Sequence, residues 1–212
     1  MERYLLLTLA AFLIACQPPE KQETNTPEAS TIETIAEITG QQLTGVTVTS
    51  TGRVFTNFPR WRGGLSMSVA EIGKDSSFLP YPNESWNSWD PATPVNDSSF
   101  VCVQSVVASE NELFVLDPRN PLFEGVAAPP MLYVFGLESN QLKRAYAFSE
   151  NAYSPNSYIN DLRVDRKNGK IYFTDSGRAG LVVLDIESGE FKRALTDHAS
   201  ASSETTFLPI DG

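Results

Sequence analysis

The feature that most restricts the fold of this chain is a unit of about 58 residues that occurs three times. The copies begin at Gly45, Gln104 and Asn160, and each has a β-rich run, a polar turn and a second run centred on an aromatic residue. The central aromatic residues, 59 and 58 positions apart, are Phe55, Phe114 and Tyr172. A fixed period shared by β-rich segments predicts a repeat architecture.

Later segments add a second hairpin to at least two of the units. Residues 131–136 and 141–148 flank a polar turn in the second unit, as do 181–186 and 190–195 in the third. Four-stranded antiparallel sheets repeated around an axis are the blades of a β-propeller. The sequence therefore predicts an all-β chain in which residues 43–212 form about three blades.

Three blades do not complete a ring, because propellers close with four to eight blades. Two explanations are open. The sequence is the first part of a longer protein, with residues 208–212 opening a fourth unit, or two copies pair as half-propellers. In either case a missing half or a second copy is the predicted partner, since an unpaired blade face exposes apolar surface.

The first 16 residues predict export and lipid attachment. An arginine precedes an apolar run that is too short to span a bilayer but suits a signal peptide. The run ends in Leu13-Ile14-Ala15-Cys16, which resembles a bacterial lipobox, so Cys16 is the predicted lipidation site and membrane contact. Gln17 after the cysteine favours the outer membrane. The alternative is an ordinary signal peptide of a secreted protein.

Composition assigns the next segment and excludes one class of partner. Residues 17–42 are rich in Pro, Glu, Thr and Gln, which predicts a disordered tether between the lipid and the propeller. The formal net charge of −10, without a cluster of Lys and Arg, argues against nucleic acid as a partner. Cys102 lies in an apolar run and is expected to be a buried, unpaired thiol.

Short motifs in the expected order carry a resemblance to a known family. They are Gly52-Arg53-Val54-Phe55, Phe58-Pro59-Arg60-Trp61-Arg62, Pro80-Tyr81-Pro82-Asn83-Glu84, Val103-Gln104-Ser105-Val106, Leu113-Phe114-Val115-Leu116-Asp117, Ile159-Asn160-Asp161-Leu162 and Tyr172-Phe173-Thr174-Asp175-Ser176-Gly177. Together they resemble the major royal jelly/yellow protein family, whose bacterial members are described as related to L-dopachrome tautomerase or gluconolactonase. The resemblance implies a six-bladed propeller, of which this chain holds half. The paired cysteines of insect members are absent, which leaves insect-specific roles in doubt.

The same resemblance implies a metal site at Asn160 and Asp161. Related propellers of the gluconolactonase kind place an Asn-Asp pair at the matching strand end, where the Asn oxygen binds a divalent cation. Oxygen ligands from several blades suit Ca²⁺, and a bound metal polarises a lactone or ester carbonyl. The alternative is that both residues make turn and capping hydrogen bonds.

Two aromatic and basic stretches are candidates for a ligand pocket at the propeller mouth. They contribute Arg60, Trp61, Trp86 and Trp89. Arg60 and Trp61 could instead pack at a blade edge, and the two later tryptophans could cover the core. His198, the single histidine, is expected to be a surface residue without a catalytic role.

These observations predict a surface-anchored propeller that binds a small ligand at its central opening. A metal-dependent lactonase or a tautomerase-like enzyme at the same opening is the first alternative, and a structural envelope protein is the second. Fold alone does not decide between them, because propellers carry many functions.

Overall fold

The computed structural model describes residues 32–205, and this part of the chain is all-β. It contains three four-stranded antiparallel sheets and no α-helix, which confirms the predicted fold class. Three short 3-10 helices lie in the loops, at Ser85–Asn87, Pro121–Phe123 and Ala199–Ala201. No helix within the described range is long and apolar enough to cross a bilayer. The predictions for Cys16 and for residues 17–31 lie outside the described residues.

Each sheet is a meander in which strands that are consecutive along the chain are also neighbours. The first sheet comprises β1 (Gly45–Val48), β2 (Val54–Asn57), β3 (Val69–Ile72) and β4 (Phe78–Pro80). The second comprises β5 (Ser105–Ser109), β6 (Glu112–Asp117), β7 (Met131–Gly136) and β8 (Gln141–Ala147). The third comprises β9 (Ile159–Asp165), β10 (Lys170–Asp175), β11 (Gly180–Asp185) and β12 (Phe191–Ala194).

The first strands of the three sheets, β1, β5 and β9, lie next to one another and form the inner edge of the array. Between β1 and β5, the Ala108 N–H donates to Thr47 Oγ1 at 2.9 Å. Gly45 permits this approach, because a Cβ there would lie 3.2 Å from the Val106 nitrogen of β5 and 2.4 Å from Asn57 Oδ1 of β2. Inner strands that converge in this way are the arrangement of propeller blades.

The sheets pack face to face through alternate residues of each strand, as the period of a β-strand requires. Phe55 of the first sheet packs in one cluster with Leu113 and Val115 of the second. The opposite face of the second sheet packs on the third. The apolar cluster between the second and third sheets includes Phe114, Leu116, Ile171, Phe173, Val182 and Leu184.

The three repeated aromatic residues occupy the same position in their sheets. Phe55 faces the second sheet and Phe114 faces the third, and both are buried. Tyr172 belongs to the outer face of the third sheet and is 39% exposed. The period read from the sequence is therefore the period of the blades.

Residues 32–42 have no regular secondary structure, and part of this stretch contacts the first sheet and the loop after β2. Ser76 Oγ donates to the Ile35 carbonyl at 2.7 Å, and Gln41 donates to Ser66 Oγ at 2.8 Å. The end of the predicted tether therefore lies against the first blade.

A buried aspartate closes the second blade at the end of β6. Asp117 accepts hydrogen bonds from the N–H groups of Val101 (2.7 Å), Cys102 (2.9 Å) and Arg119 (3.0 Å). Its carboxylate thereby ties the end of β6 to the loop that enters β5. Burial raises the pKa of Asp117 above its ordinary value, although the three N–H donors act in the opposite direction.

Asp175, which follows Asp117 by 58 residues, closes the third blade in the same way. It accepts from the N–H groups of Tyr158 and Gly177 at 2.9 and 3.1 Å, and its second oxygen pairs with Arg193 at 2.8 Å. Gly177 is required in this turn, because a Cβ there would lie 1.9 Å from the Asn156 carbonyl oxygen. The Asp-Ser-Gly motif thus has a structural role.

We expect Asp175→Ala to lower the free energy of unfolding by about 3–5 kcal/mol, because it leaves Arg193 buried without its partner. Urea unfolding followed by circular dichroism measures this change. Glu150→Ala, at an exposed loop position, is the matched control and should change stability by less than about 0.5 kcal/mol. Equal effects of the two substitutions would contradict the assigned role.

Candidate functional site

The inner strands all begin at the same end of the array, and five connections gather there. They are the loops 58–68, 81–104, 118–130, 148–158 and 176–179. Alternate connections of an antiparallel meander lie at the same end, so this end face collects every residue that the sequence analysis selected for a pocket or a metal. The structure shows which of these side chains are available to a ligand.

An aromatic cluster occupies this end face. The ring of Phe123 stacks on Trp61 and on Tyr158, with centroid separations of 5.7 and 5.4 Å. Trp61 Nε1 donates a hydrogen bond to the Tyr158 hydroxyl, which in turn donates to Gln104 Oε1 at 2.8 Å. Tyr158 and Gln104 are buried, whereas Phe123 is 61% exposed. The cluster therefore presents one aromatic ring to solvent on a fixed support.

The backbone beneath Phe123 has an uncommon conformation. Leu122 and Phe123 both have φ of 60°, in the left-handed region that residues with a side chain seldom adopt. The Leu122 N–H donates to the Arg60 carbonyl at 2.8 Å, and Asn120 Oδ1 accepts from the Gly125 N–H at 3.0 Å. These bonds hold the loop in place, so the exposed ring is positioned by its surroundings.

The hydroxyl of Tyr158 stays protonated over the ordinary pH range, because burial raises its pKa well above the usual value. It acts as a fixed hydrogen-bond relay between Trp61 and Gln104. A group with this pKa is unsuited to general-base catalysis near neutral pH. In the structure this hydroxyl holds the Trp61 and Gln104 side chains in place.

Asn160 and Asp161 lie at the start of β9, at the same end, and their oxygens already have partners. Asn160 Oδ1 accepts from the Ser176 N–H at 3.2 Å. Asp161 accepts from Ser105 Oγ at 2.8 Å and pairs with Arg163 at 2.8 Å. These contacts match the hydrogen-bonding alternative.

The donor set here does not form a cation site by itself. Among residues 32–205, no group of three or more His, Cys, Asp or Glu side chains could hold a metal ion. Ca²⁺ requires six to eight oxygen ligands, so a site at this strand end needs ligands from other blades. Divalent cation binding by Asn160 and Asp161 stays a prediction.

Arg60 and Trp89 pack against each other below the surface. The buried Arg60 guanidinium lies 5.3 Å from the centre of the Trp89 ring and donates to the carbonyls of Val101 and Trp89. Burial lowers the pKa of Arg60 from its ordinary value. Both side chains are buried in the packing of this loop, and their part in a ligand pocket stays a prediction.

Trp86 also belongs to the core. Its ring lies 5.0 Å from Phe100 and Tyr133 and 5.1 Å from Phe135. Trp86 is partly buried against this cluster, and its place in a ligand pocket stays a prediction. Of the four predicted pocket residues, only Trp61 takes part in the exposed cluster.

Phe123, Tyr158 and Gln104 were not selected from the sequence. A Gln that opens a repeat and a Phe within Pro121-Leu122-Phe123-Glu124-Gly125 carry no distinctive spacing. A positional signal exists for two of them, because Gln104 and Tyr158 directly precede the inner strands β5 and β9. His198 is exposed, as expected, and its ring contacts Ser200.

A comparison with family models decides the classification. The model described as Major royal jelly protein matches residues 92–211, which is more than half of the chain. The chain belongs to the major royal jelly protein family. The motifs noted in the sequence therefore identified the family correctly.

Curated members of this family include the insect proteins that the chain resembles. It is 28% identical over 148 residues to the Protein yellow of Drosophila guanche and of Drosophila pseudoobscura pseudoobscura, an alignment that covers 64% of this chain and 26% of each relative. The Protein yellow of Drosophila yakuba has the same identity, with 27% covered. The chain thus spans about a quarter of the length of these relatives.

Solved structures with a similar backbone are distant in sequence. The extracellular domain of the putative hybrid two component system BT3049 from B. thetaiotaomicron aligns with a TM-score of 0.45 and 13% identity, over 77% of this chain and 19% of that one. The structure of U3-55K also aligns with a TM-score of 0.45, at 14% identity, over 75% of this chain and 40% of that one. The three four-stranded sheets themselves define the fold.

Cys102 lies in the loop between β4 and β5 and is fully buried, as its apolar neighbours in the sequence indicate. Burial raises the pKa of its thiol from 9.0 to about 12, so the reactive thiolate at about pH 8 is scarcer by roughly a thousandfold. We expect iodoacetamide to label Cys102 only after unfolding in concentrated urea, as measured by peptide mass spectrometry.

An engineered exposed thiol, Ser200→Cys, is the matched control and should react in the native protein. Labelling of native Cys102 as fast as this control would show that the loop opens and that the burial described above is incomplete.

Proposed function

We propose that this chain is an exported, lipid-anchored binding module of the major royal jelly protein family. Its ligand is a small molecule with a flat ring, held at the end of the inner strands by the Phe123 aromatic cluster. The observation that carries the proposal is Phe123, a large apolar ring that is exposed, stacked on Trp61 and Tyr158, and supported by two residues in the left-handed region.

A left-handed conformation at a residue with a side chain costs about 1–3 kcal/mol and concentrates at functional sites. Two such residues in succession place an aromatic ring in solvent, which folding alone does not favour. A ligand ring stacked on the free side of Phe123 removes that surface from water. Aromatic stacking contributes about 0.5–1.5 kcal/mol beyond the area buried.

The surroundings of the cluster favour an uncharged or weakly polar ligand. Asn160 and Ser176 at the start of β9 and the end of β10 are polar and partly or fully exposed. One charged group nearby, Asp161, is engaged within the protein through its pair with Arg163. A ring that bears hydroxyl groups would bury its face on Phe123 and meet amide and hydroxyl groups at its rim.

Export and lipid attachment belong to the same proposal and rest on the first 16 residues. A lipidated Cys16 followed by a polar tether would hold the propeller at the outer membrane. The described end of the tether lies against the first blade, which is compatible with an anchor that precedes the domain.

We expect Phe123→Ala to weaken binding of resorcinol about threefold to tenfold, because the substitution removes the stacking surface. Saturation-transfer-difference NMR titration of the protein measures the dissociation constant. Cyclohexane-1,3-diol carries the same hydroxyl groups without a flat face and should bind more weakly than resorcinol.

Leu79→Ala removes an equally exposed apolar side chain from the edge of the first sheet and serves as the control. It should leave resorcinol binding unchanged. If Phe123→Ala binds resorcinol as well as the parent protein does, the aromatic cluster is not the ligand site.

Lipid attachment is tested separately. In cells fed an alkyne analogue of palmitate, the parent chain should acquire the label and Cys16→Ala should lose it, because Cys16 is the proposed acceptor. Cys102→Ala is the matched control and should keep the label, since that thiol is buried. Equal labelling of all three chains would exclude Cys16 as the site.

A further inference from the structure

We propose that the end of the array opposite the Phe123 aromatic cluster carries a second ligand site, for a small carboxylate that bears hydroxyl groups. The site is an open cleft of about 410 Å³, which we call the basic cleft, and its lining includes Ser50, Asn111, Glu112, Lys143, Arg144 and Arg166. Sites for small molecules in proteins usually measure about 300–1,000 Å³. None of these residues takes part in the proposed function.

The basic cleft lies where turns of all three blades come together. Ser50 belongs to the turn after β1, Asn111 to the turn after β5, and Arg166 to the turn after β9. Lys143 and Arg144 lie on β8, the last strand of the second sheet. The lining therefore comes from the second blade and from turns of its two neighbours, and the outer faces of the first and third sheets contribute nothing to it.

Glu112 holds two guanidinium groups in the cleft. Arg144 Nη2 donates to both carboxylate oxygens of Glu112, at 2.7 and 2.6 Å, and Arg166 Nη2 donates to one of them at 2.7 Å. Arg166 also donates to the hydroxyl and the carbonyl of Ser109, and its guanidinium lies 4.9 Å from the centre of the Phe114 ring. These contacts order both arginines before a ligand arrives, and groups ordered in advance lose little freedom on binding.

The cations of the cleft have more hydrogen-bond donors than Glu112 has acceptor positions. Each guanidinium group carries five N–H donors, and a carboxylate has about four acceptor positions. Arg144 Nε is buried and has no acceptor among residues 32–205. Lys143 Nζ lies 3.8 Å from Glu112 Oε1, which is beyond hydrogen-bond distance. A second carboxylate therefore finds donors that the protein leaves unused, and the planar guanidinium fork suits its geometry.

The net charge of the cleft favours an anion with one negative charge. Three positive charges, on Lys143, Arg144 and Arg166, face two negative charges. The negative charges belong to Glu112 and to Glu110, whose carboxylate lies 3.8 Å from Arg166 Nε. One positive charge is therefore in excess, although the whole chain carries a formal net charge of −10. A local excess of this sign attracts anions, and a single carboxylate neutralises it.

The rest of the lining determines what the carboxylate is attached to. Every side chain that lines the cleft is charged or polar. Ser50 and Asn111 are exposed there, and a hydroxyl or an amide group can both donate and accept hydrogen bonds. Hydroxyl groups on a ligand would exchange their water for these two side chains, whereas an apolar body would gain no contact. The ligand is therefore a hydroxylated carboxylate, unlike the uncharged ring proposed for the Phe123 aromatic cluster.

Isothermal titration calorimetry of the full chain tests the site, with D-glucuronate as the probe. D-Glucose has the same ring and hydroxyl groups without the carboxylate, and it should bind more than about tenfold more weakly because it forms no ion pair. Added salt should weaken glucuronate binding, because the screening length falls as ionic strength rises. Absence of glucuronate binding at low salt, or equal affinity for the two sugars, would overturn the proposal.

Substitutions locate the site. Lys143→Gln should weaken glucuronate binding about threefold to tenfold, because it removes the excess positive charge. Lys143→Arg keeps that charge and should bind as the parent chain does. Lys74→Gln, in an exposed turn of the first sheet, removes one positive charge elsewhere and is the control that should leave the affinity unchanged. The Lys143 side chain is 49% exposed, so circular dichroism should show a folded protein for each variant.

The two proposed sites are distinguished by exchanging the probes. Phe123→Ala should bind glucuronate as the parent chain does, and Lys143→Gln should bind resorcinol as the parent chain does, because the sites lie at opposite ends of the array. If Phe123→Ala lowers the affinity for glucuronate and Lys143→Gln does not, the anion binds at the aromatic cluster and the basic cleft is not its site.

Discussion

The architecture depends on the second sheet, which is apolar on both faces. A sheet of this kind is stable only between two neighbours, because about 25 cal/mol is lost for every Å² of apolar surface left in water. The second sheet meets this requirement within the chain: Leu113 and Val115 pack toward the first sheet, and Phe114 and Leu116 pack toward the third. Stacking of similar sheets, rather than any single bond, thus determines the fold.

Stacking alone does not fix the loops at the end of the array that carries the Phe123 aromatic cluster, and the buried aspartates do this. Asp117 and Asp175 each use one carboxylate to satisfy the backbone of the loop entering a blade and of the turn leaving its second strand. A carboxylate with several N–H donors defines a loop more tightly than apolar packing does. Tyr158 directly adjoins the Asp175 contact, so the relay from Trp61 through Tyr158 to Gln104 is built on a fixed base. In the first blade an asparagine side chain holds the loops instead. Asn87 accepts hydrogen bonds from the N–H groups of Ser68 and Val69 and donates one to the Tyr81 carbonyl.

The period, the hairpins and the family could be predicted from the sequence because each is a property of local spacing. Alternation along strands and turn residues between them specify a meander, and the 58-residue offset that relates Phe114 to Tyr172 also relates Asp117 to Asp175. The site was harder to predict because availability to a ligand is a property of packing. Arg60 and Trp89 have the composition of a binding surface, yet their ring and guanidinium are paired with each other. Phe123 has no such signal, and its exposure arises from a backbone conformation in a 13-residue loop. Residue type alone did not indicate which of these side chains are exposed.

Packing of the blades and the proposed ligand binding at this end face are physically linked, even though different residues carry them. The inner strand β9 contributes Asn160 to the end face, while Leu162 of the same strand packs against the second sheet. A ligand that contacts loops from two blades would stabilise their packing by mass action, in proportion to its affinity for the packed form. Because such linkage is reciprocal, tighter packing of the blades would raise ligand affinity by the same factor. In the proposed function, the exposed ring of Phe123 is one wall of the ligand site.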